Sequence, residues 1–409
     1  MEDWRRNLYI LWGTQFLAMV GMNLIVPFLP FFIRQLGVTD EQDLAQWSGL
    51  VFSGPFFVSF IATPFWGTLG DRYGRKAMVV RAIFGLALSQ AFMGFSQNVY
   101  QLLAFRILQG GISGFIAATL ALVSTNTPKE RIGYALGFMQ SASAGGMVIG
   151  PFVGGLLADL IGYREIFFVT AVICAVSGIV VLMKVEDAPL LQQGGRVYTV
   201  RQNYRLMYTD KRLRIVGLAL IIGQMSILMI EPIFALFVES FKTDTKYIST
   251  ITGSIFSVSG VFMVIAAPWW GRRNDRKGYK RNLYTAMAAV GIVYAGHIIV
   301  TDLIQLAVLR AFLGFVLGGV LPTLYSLTNL YSPPERRGGM IAIASSMTVI
   351  GNLFGPVLGG FLAGNFGITT SFVVNSCMLV AMSYIIWKYL ADEPQKATPV
   401  LQTVDSLTS

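Results

Sequence analysis

Residues 64–76 read Pro64-Phe65-Trp66-Gly67-Thr68-Leu69-Gly70-Asp71-Arg72-Tyr73-Gly74-Arg75-Lys76, and residues 268–280 read Pro268-Trp269-Trp270-Gly271-Arg272-Arg273-Asn274-Asp275-Arg276-Lys277-Gly278-Tyr279-Lys280. The Pro-aromatic-Trp-Gly run returns 204 positions later, and so does the pair Asp71-Arg72, as Asp275-Arg276. Working outward, the same spacing persists. Arg106 returns as Arg310 at 204, Gly150-Pro151 as Gly355-Pro356 and Pro27 as Pro232 at 205, and Cys174 as Cys377 at 203. One nearly constant offset across six landmarks marks a chain made of two copies of one half.

Twelve apolar stretches lie around these landmarks, near residues 8–33, 47–70, 78–96, 99–125, 134–160, 164–184, 213–240, 248–271, 281–301, 303–329, 339–365 and 370–391. Each can hold the ~20 residues that cross a bilayer. Six spans separate the copies, so both halves share one orientation and form a parallel repeat. The composition agrees: the 409 residues are 54% hydrophobic and 13% charged, with mean hydropathy +0.62. A soluble domain carries ~25% charged residues. A soluble enzyme, a disordered chain and a coiled coil are thereby excluded. We expect an all-α membrane protein with twelve transmembrane helices in two pseudo-symmetric six-helix bundles, residues 1–184 and 213–391. A polar linker, 185–212, joins them, and 392–409 forms a polar tail.

The net charge of +10 raises the question of nucleic acid, and the positions of the charges answer it. With both ends on one side of the bilayer, that side holds 25 of the 31 Lys and Arg, and the other holds Arg34, Arg164, Lys242 and Lys246. Arg106 and Arg310 fall inside spans. The positive-inside rule then puts both termini in the cytoplasm, and the basic balance is a product of topology. No basic run is interleaved with aromatics, so no nucleic-acid partner is expected. The first span follows Arg5-Arg6 without a small-residue cleavage site, so no cleavable signal is expected. Cys174 and Cys377 have no motif partner, and no metal or cofactor site is expected. No phosphate-binding or dinucleotide fingerprint appears, which leaves an ion gradient or plain equilibration as the energy source. The polar intramembrane residues are isolated rather than arranged in a ring, which argues against a channel.

In the loop Gly67 to Lys76 the glycines Gly67, Gly70 and Gly74 permit a tight reversal between helices. Asp71 can cap a helix and pair with nearby arginines, and Arg72, Arg75 and Lys76 fix topology. This loop resembles that of the major facilitator superfamily. The resemblance implies that Asp71 belongs to a latch closing the cytoplasmic side. In the fourth span Arg106 precedes Gln109-Gly110. A charged arginine there costs at least ~2.5 kcal/mol and needs a reason. The superfamily carries an arginine before a Gln-Gly pair at this place, which implies that Arg106 sets the protonation of a nearby carboxylate. Arg310 lacks the Gln-Gly pair and reads as an anchor.

The fifth span contains Gly145-Gly146-Met147-Val148-Ile149-Gly150-Pro151-Phe152-Val153-Gly154-Gly155. Gly146, Gly150, Gly154 and Gly155 share a helix face that lets a neighbour approach closely, and Pro151 permits a bend. The run is similar to the fifth-helix motif of twelve-span drug/proton antiporters within that superfamily. It implies export, although its copy at Gly351, Gly355-Pro356 and Gly359-Gly360 shows that the repeat also favours it.

Of 21 acidic residues, Glu231 alone sits deep in a span. A lone carboxylate there is protonated or partnered. It can carry a proton, attract a cation, or pair with Arg106 or Arg310. The resemblance implies that helices 1, 4, 7 and 10 line a central cavity. Candidate lining residues are Gln15, Asn23, Gln224, Met225, Met229, Glu231, Phe234 and Tyr325, with Met139 and Gln140 from the fifth helix. Met and aromatic side chains make an adaptable pocket. His297, the one histidine, reads as a packed or interfacial residue.

The expectation is a proton-coupled antiporter, not an enzyme. It would work as a monomer in a bacterial cytoplasmic (inner) membrane and export small amphipathic, often cationic drugs. The alternatives are a dedicated exporter of one metabolite, such as a siderophore or sugar, and a non-transporting membrane sensor.

Overall fold

The computed structural model describes residues 3–112, 114–186, 199–241 and 246–391. In the first half, α1 (Asp3–Leu24) and α2 (Leu29–Gln35) flank a 3-10 turn, Val26–Phe28, and form the first span. Helices α3 (Glu41–Tyr73) and α4 (Arg75–Gly94) are the second and third spans, and α5 (Val99–Ile112) with α6 (Phe115–Asn126) is the fourth. Helices α7 (Ile132–Ile161) and α8 (Tyr163–Lys184) complete the half. A short helix, α9 (Val200–Thr209), precedes the second half. There, α10 (Lys211–Ile230) and α11 (Phe234–Glu239) flank the 3-10 turn Glu231–Ile233. Then come α12 (Ile248–Lys277), α13 (Tyr279–Gly296), α14 (Leu303–Leu317) with α15 (Val320–Tyr331), α16 (Arg337–Phe366) and α17 (Ile368–Tyr389).

Eleven of the spans among the described residues are long and apolar enough to cross a bilayer. The remaining one, α13, is 18 residues long and opens on Tyr279-Lys280-Arg281-Asn282, which dilutes its hydropathy. With α13 packed against α14 and α17, the twelve-helix architecture is complete. The protein is a multi-pass membrane protein.

Four of the spans are interrupted among the described residues. The first and seventh break at matched turns, each with a proline, Pro27 or Pro232, in its first positions. Proline lacks the N–H that the α-helix needs there. The fourth breaks at Gly114 (φ +104°) and the tenth at Gly318-Gly319. Within the linker stretch, α9 opens with a capping box between Thr199 and Gln202 and buries Asn203 and Met207.

The repeat is visible in side-chain bonds. Trp66 Nε1 donates to the Gly111 carbonyl at 2.7 Å, and Trp270 Nε1 donates to the Phe315 carbonyl at 2.8 Å. Thr170 Oγ1 donates to the Gly21 carbonyl at 3.2 Å, and Asn375 Nδ2 donates to the Ser226 carbonyl at 2.9 Å. The helix hairpins α3–α4 and α12–α13 turn on Gly74 (φ +96°) and Gly278 (φ +83°). Only glycine adopts that conformation freely, which is why the loop motif keeps it in both copies.

The two ends of the bundle differ. One end carries the Arg5-Arg6 segment and the basic loops and is called the basic end; the other is the far end. At the far end a single apolar core joins residues of both halves, from Leu24, Phe28 and Phe32 to Phe234, Ile255 and Ala363. The basic-end core of the first half, including Leu8, Leu11, Ile83 and Met139, forms a separate cluster. The halves are closed together at the far end.

Candidate functional site: the cavity between the halves

The face pattern of α7 shows where the cavity lies. A Cβ at Gly146, Gly150 or Gly154 would meet Met19, Asn23 and the Leu24 carbonyl of α1. One edge of the motif is therefore the seam within the half. A Cβ at Gly155 would meet the Ser249 carbonyl of α12, and the Pro151 carbonyl lies against Gly253 of α12. That edge is a seam between halves. Gln140 and Met147 lie seven residues apart on the strip between these edges, and both are exposed. Ser345, the repeat-mate of Gln140 on α16, is exposed as well. The gap between the halves thus opens toward the basic end and narrows where the far-end seams close.

The second copy of the motif does the same work. Gly351, Gly355 and Gly359 press on α10 at Gln224, Met225 and Met229, and Gly360 presses on the Ala45 carbonyl of α3. Gly49 of α3 in turn meets the Pro356 carbonyl. Small residues let backbones approach this closely, and dispersion contacts then hold the helices.

Glu231 stands in the 3-10 turn where the seventh span breaks, half-buried, with Pro232 and Ile233 buried beside it. The turn packs on α3 and α16 as well as on α10, which puts Glu231 beside the far-end closure between the halves. The charge that acts on it is Arg310 of α14. No hydrogen bond or ion pair within 4 Å joins them among the described residues. Arg310 stacks instead on Phe234 at 3.6 Å, with Phe256 at 5.7 Å. Its Nε and Nη2 are buried without a hydrogen-bond partner. Stacking of a guanidinium on a ring recovers part of the lost hydration. The contacts of Arg310 among the described residues are rings rather than carbonyls.

Arg106 is buried in α5, where Nη1 donates to Gln109 Oε1 at 3.2 Å and Nε has no partner. The Gln-Gly pair explains itself here: Gln109 supplies the acceptor, and Gly110 lets α5 approach the Pro55 carbonyl of α3.

The lining candidates divide. Gln15 is fully buried and donates to the Met139 carbonyl at 3.1 Å and to Ser143 Oγ at 2.7 Å, so it stitches α1 to α7. Met139, Met229 and Phe234 are buried, whereas Asn23, Gln224, Met225 and Tyr325 are half-buried and Gln140 is exposed. Asn23 turns its amide onto the Met19 carbonyl at 2.7 Å, and Tyr325 lies 3.5 Å from Ser345 Oγ. His297 is buried against Phe372, with ring centroids 4.9 Å apart, and its Nδ1 faces the Val293 carbonyl at 2.9 Å.

Of the loop motif, Gly67, Asp71 and Arg72 lie outside the residues whose side chains are described, while Gly70, Gly74, Arg75 and Lys76 lie inside them. Arg75 Nη1 donates to the Ala121 carbonyl at 2.8 Å, tying the loop to α6. Arg81 lies over the Trp66 ring at 3.5 Å. A cavity of about 270 Å³ opens between these groups. No group of three or more metal-ligating side chains occurs among the described residues.

Sequence reading missed the far-end contacts between halves. Arg34 and Glu239 form a two-bonded ion pair at 2.7 and 2.8 Å. Asp159 reaches α12, and Gln42 Nε2 donates to Asn365 Oδ1 at 3.0 Å. Of these contacts only the Arg34–Glu239 pair matches the repeat offset, its residues lying 205 positions apart.

Comparison with known proteins settles the lineage. The family model for the Major Facilitator Superfamily matches residues 11–303 and 216–406. The chain belongs to the major facilitator superfamily. Among this transporter's relatives, the multidrug resistance protein MdtG of Yersinia enterocolitica is 34% identical over 97% of this chain and 95% of its own. MdtG of Escherichia coli is 33% identical over 95% of each chain. Among solved structures, an inward-facing, occupied bacterial homolog of the human lysosomal transporter Spinster superposes with TM-score 0.80 at 14% identity. It covers 95% of this transporter and 97% of its own chain. A D-xylose–proton symporter gives TM-score 0.75 at 16% identity over 94% and 98%. These two likenesses speak to the fold.

Proposed function

We propose that this transporter exports amphipathic, often cationic compounds from the cytoplasm in exchange for protons, with Glu231 as the exchange site. The position of Glu231 carries the reading. It is a carboxylate in the turn that breaks the seventh span, beside the far-end closure, with no hydrogen bond or ion pair to satisfy it among the described residues. Such a group can hold either a proton or a cationic substrate. Arg310, fixed on Phe234, keeps a positive charge near the site. Arg106 and Asp71 are the further coupling candidates. Gln140, Gln224, Met225 and Tyr325, none of them buried, are the residues first met by substrate. The basic end is read as cytoplasmic in the inner membrane on the positive-inside rule. The resemblance of the fifth-span motif and the drug-resistance names of the relatives support export.

The energetics allow it. One proton moving down 100 mV yields ~2.3 kcal/mol. Tenfold accumulation of a neutral solute costs ~1.4 kcal/mol, so one proton suffices for it; a monovalent cation moving outward against the same potential needs more, which a pH gradient supplies.

The test is transport in proteoliposomes of known orientation under an imposed proton gradient, following ethidium and a neutral dye. Wild type is expected to export both, and Glu231→Gln to lose ethidium export. Full gradient-driven export by that variant would remove Glu231 from the mechanism. No export of either dye by folded wild type would defeat the multidrug reading.

A further inference from the structure

The second and eighth spans are repeat-mates, yet their first turns are held in different ways. Helix α3 caps itself, with Asp40 Oδ1 accepting from the Asp43 N–H at 3.0 Å. Helix α12 begins after Tyr247, which supplies no side-chain cap. Its free N–H groups are satisfied from the other half. Asp159 of α7 accepts from the Ser249 N–H at 3.3 Å and the Thr250 N–H at 2.7 Å. It also accepts from Thr250 Oγ1 at 2.7 Å. Tyr163 of α8 adds a contact to Ser249 Oγ at 2.7 Å. The position matching Asp159 in the second half is Gly364, which cannot return the favour to α3.

We propose that Asp159 is a positioning residue for the transport cycle: by capping α12 across the interface it holds the far gate shut, and transport requires its release. A helix start leaves its first N–H groups without intrahelical partners and carries a positive end, so a carboxylate there is bound by both effects. When the halves part at the far end, α12 loses its cap, whereas α3 keeps Asp40. The fifth–eighth seam is the lock. The second–eleventh seam parts without giving up a cap. The inference concerns gating and stands whether or not Glu231 carries the proton.

The test is a distance measurement by pulsed electron resonance in lipid nanodiscs. Nitroxides would be placed through Leu160→Cys and Lys246→Cys, in a chain with Cys174→Ala and Cys377→Ala. Asp159→Ala is expected to raise the ratio of far-end-open to far-end-closed molecules about tenfold, the loss that follows removal of an N-cap. Thr250→Val, which deletes one donor and leaves the fold untouched, should move the ratio in the same direction by less. Asp159→Glu should restore the closed state. Asp40→Ala, a cap of the same kind on the mate helix, should lower the melting temperature without moving the distances. An unchanged distribution in both Asp159→Ala and Thr250→Val overturns the proposal, and so does an equal opening in Asp40→Ala. The distances are read without any transport assay, so failure of the gating proposal is separable from failure of the exchange-site reading.

Discussion

The two halves share a backbone plan and differ at the points where charge meets the membrane. In the first half the intramembrane arginine, Arg106, bonds within its own helix to Gln109, and the position matching Glu231 is Val26. In the second half Arg310 lies over Phe234 and is the charge that acts on Glu231. Where the repeat is kept, residues make the fold: the glycine seams, the tryptophan bonds to matched carbonyls and the positive-φ turns at Gly74 and Gly278. Some departures still serve the fold, as Gln109 does for Arg106, and others place charge where packing does not ask for it. Glu231 and Asp159 are both departures, since their mates are Val26 and Gly364. In a duplicated transporter the mismatched positions are where the chemistry and gating are to be sought.

The sharpest way to break this comparison uses adjacent glycines. Gly154 presses on α1 within the half, and Gly155 on α12 of the other half. Gly154→Leu is expected to cost about 3 kcal/mol or more through collision with the Leu24 carbonyl. Little monodisperse protein should survive size exclusion. Gly155→Leu should give folded protein of near wild-type melting temperature whose far end no longer closes, read with the same nitroxide pair. Gly359→Leu and Gly360→Leu should repeat the contrast. Loss of folded protein in both members of a pair would show that the seams between halves are part of the folding core.

A smaller effect separates the two arginines. Arg310→Met gives up the ring stack and the charge facing Glu231, and about 2 kcal/mol of stability should go with it. Arg106→Met loses one hydrogen bond and should cost about 1 kcal/mol. Thermal unfolding in matched detergent measures both. Equal costs would mean that Glu231 and Phe234 add nothing to Arg310.

Much of the plan was legible in the sequence because apolar length and repeat offset need no knowledge of neighbours. Hence the twelve spans, their parallel halves and the packing role of Gly146, Gly150 and Gly154 could be read directly. The breaks at Pro27 and Pro232 were visible as prolines, but not as changes of helix type. Which neighbour a face meets could not be read at all. Gln15 looked like a cavity residue because it is polar and on the first helix, yet its amide is consumed by α7. Nothing in the sequence marks Asp159, whose partner lies 91 positions away. Spacing gives the face of a helix, while contact depends on how the halves are docked.

The tryptophan pair should show where the repeat holds. Trp66→Phe and Trp270→Phe each remove one bond from an indole N–H to a carbonyl, and each should cost about 1 kcal/mol in thermal unfolding. A difference larger than the error would locate an asymmetry in the seams that geometry alone does not display.

The smallest expected effect concerns Arg34 and Glu239, which are repeat-mates 205 positions apart and meet where the two halves close. A residue and its own mate face each other there, so identical side chains would place like charges in contact. The two halves must differ at this position for the far end to close on an ion pair. The side chains are 35% and 40% exposed, so the pair is solvent-screened, and a double-mutant cycle with alanine should return no more than about 1 kcal/mol, falling with added salt. Charge reversal is more informative than deletion. Arg34→Glu sets two carboxylates against each other and Glu239→Arg sets two guanidiniums, and each single change should shift the nitroxide distances toward the open far end. The double exchange, Arg34→Glu with Glu239→Arg, rebuilds the pair with its polarity inverted and should return the distances to wild type. If the double exchange stays open, the arginine is tied to its own half by more than its charge, with its stacking on Phe31 at 5.8 Å the first contact to remove.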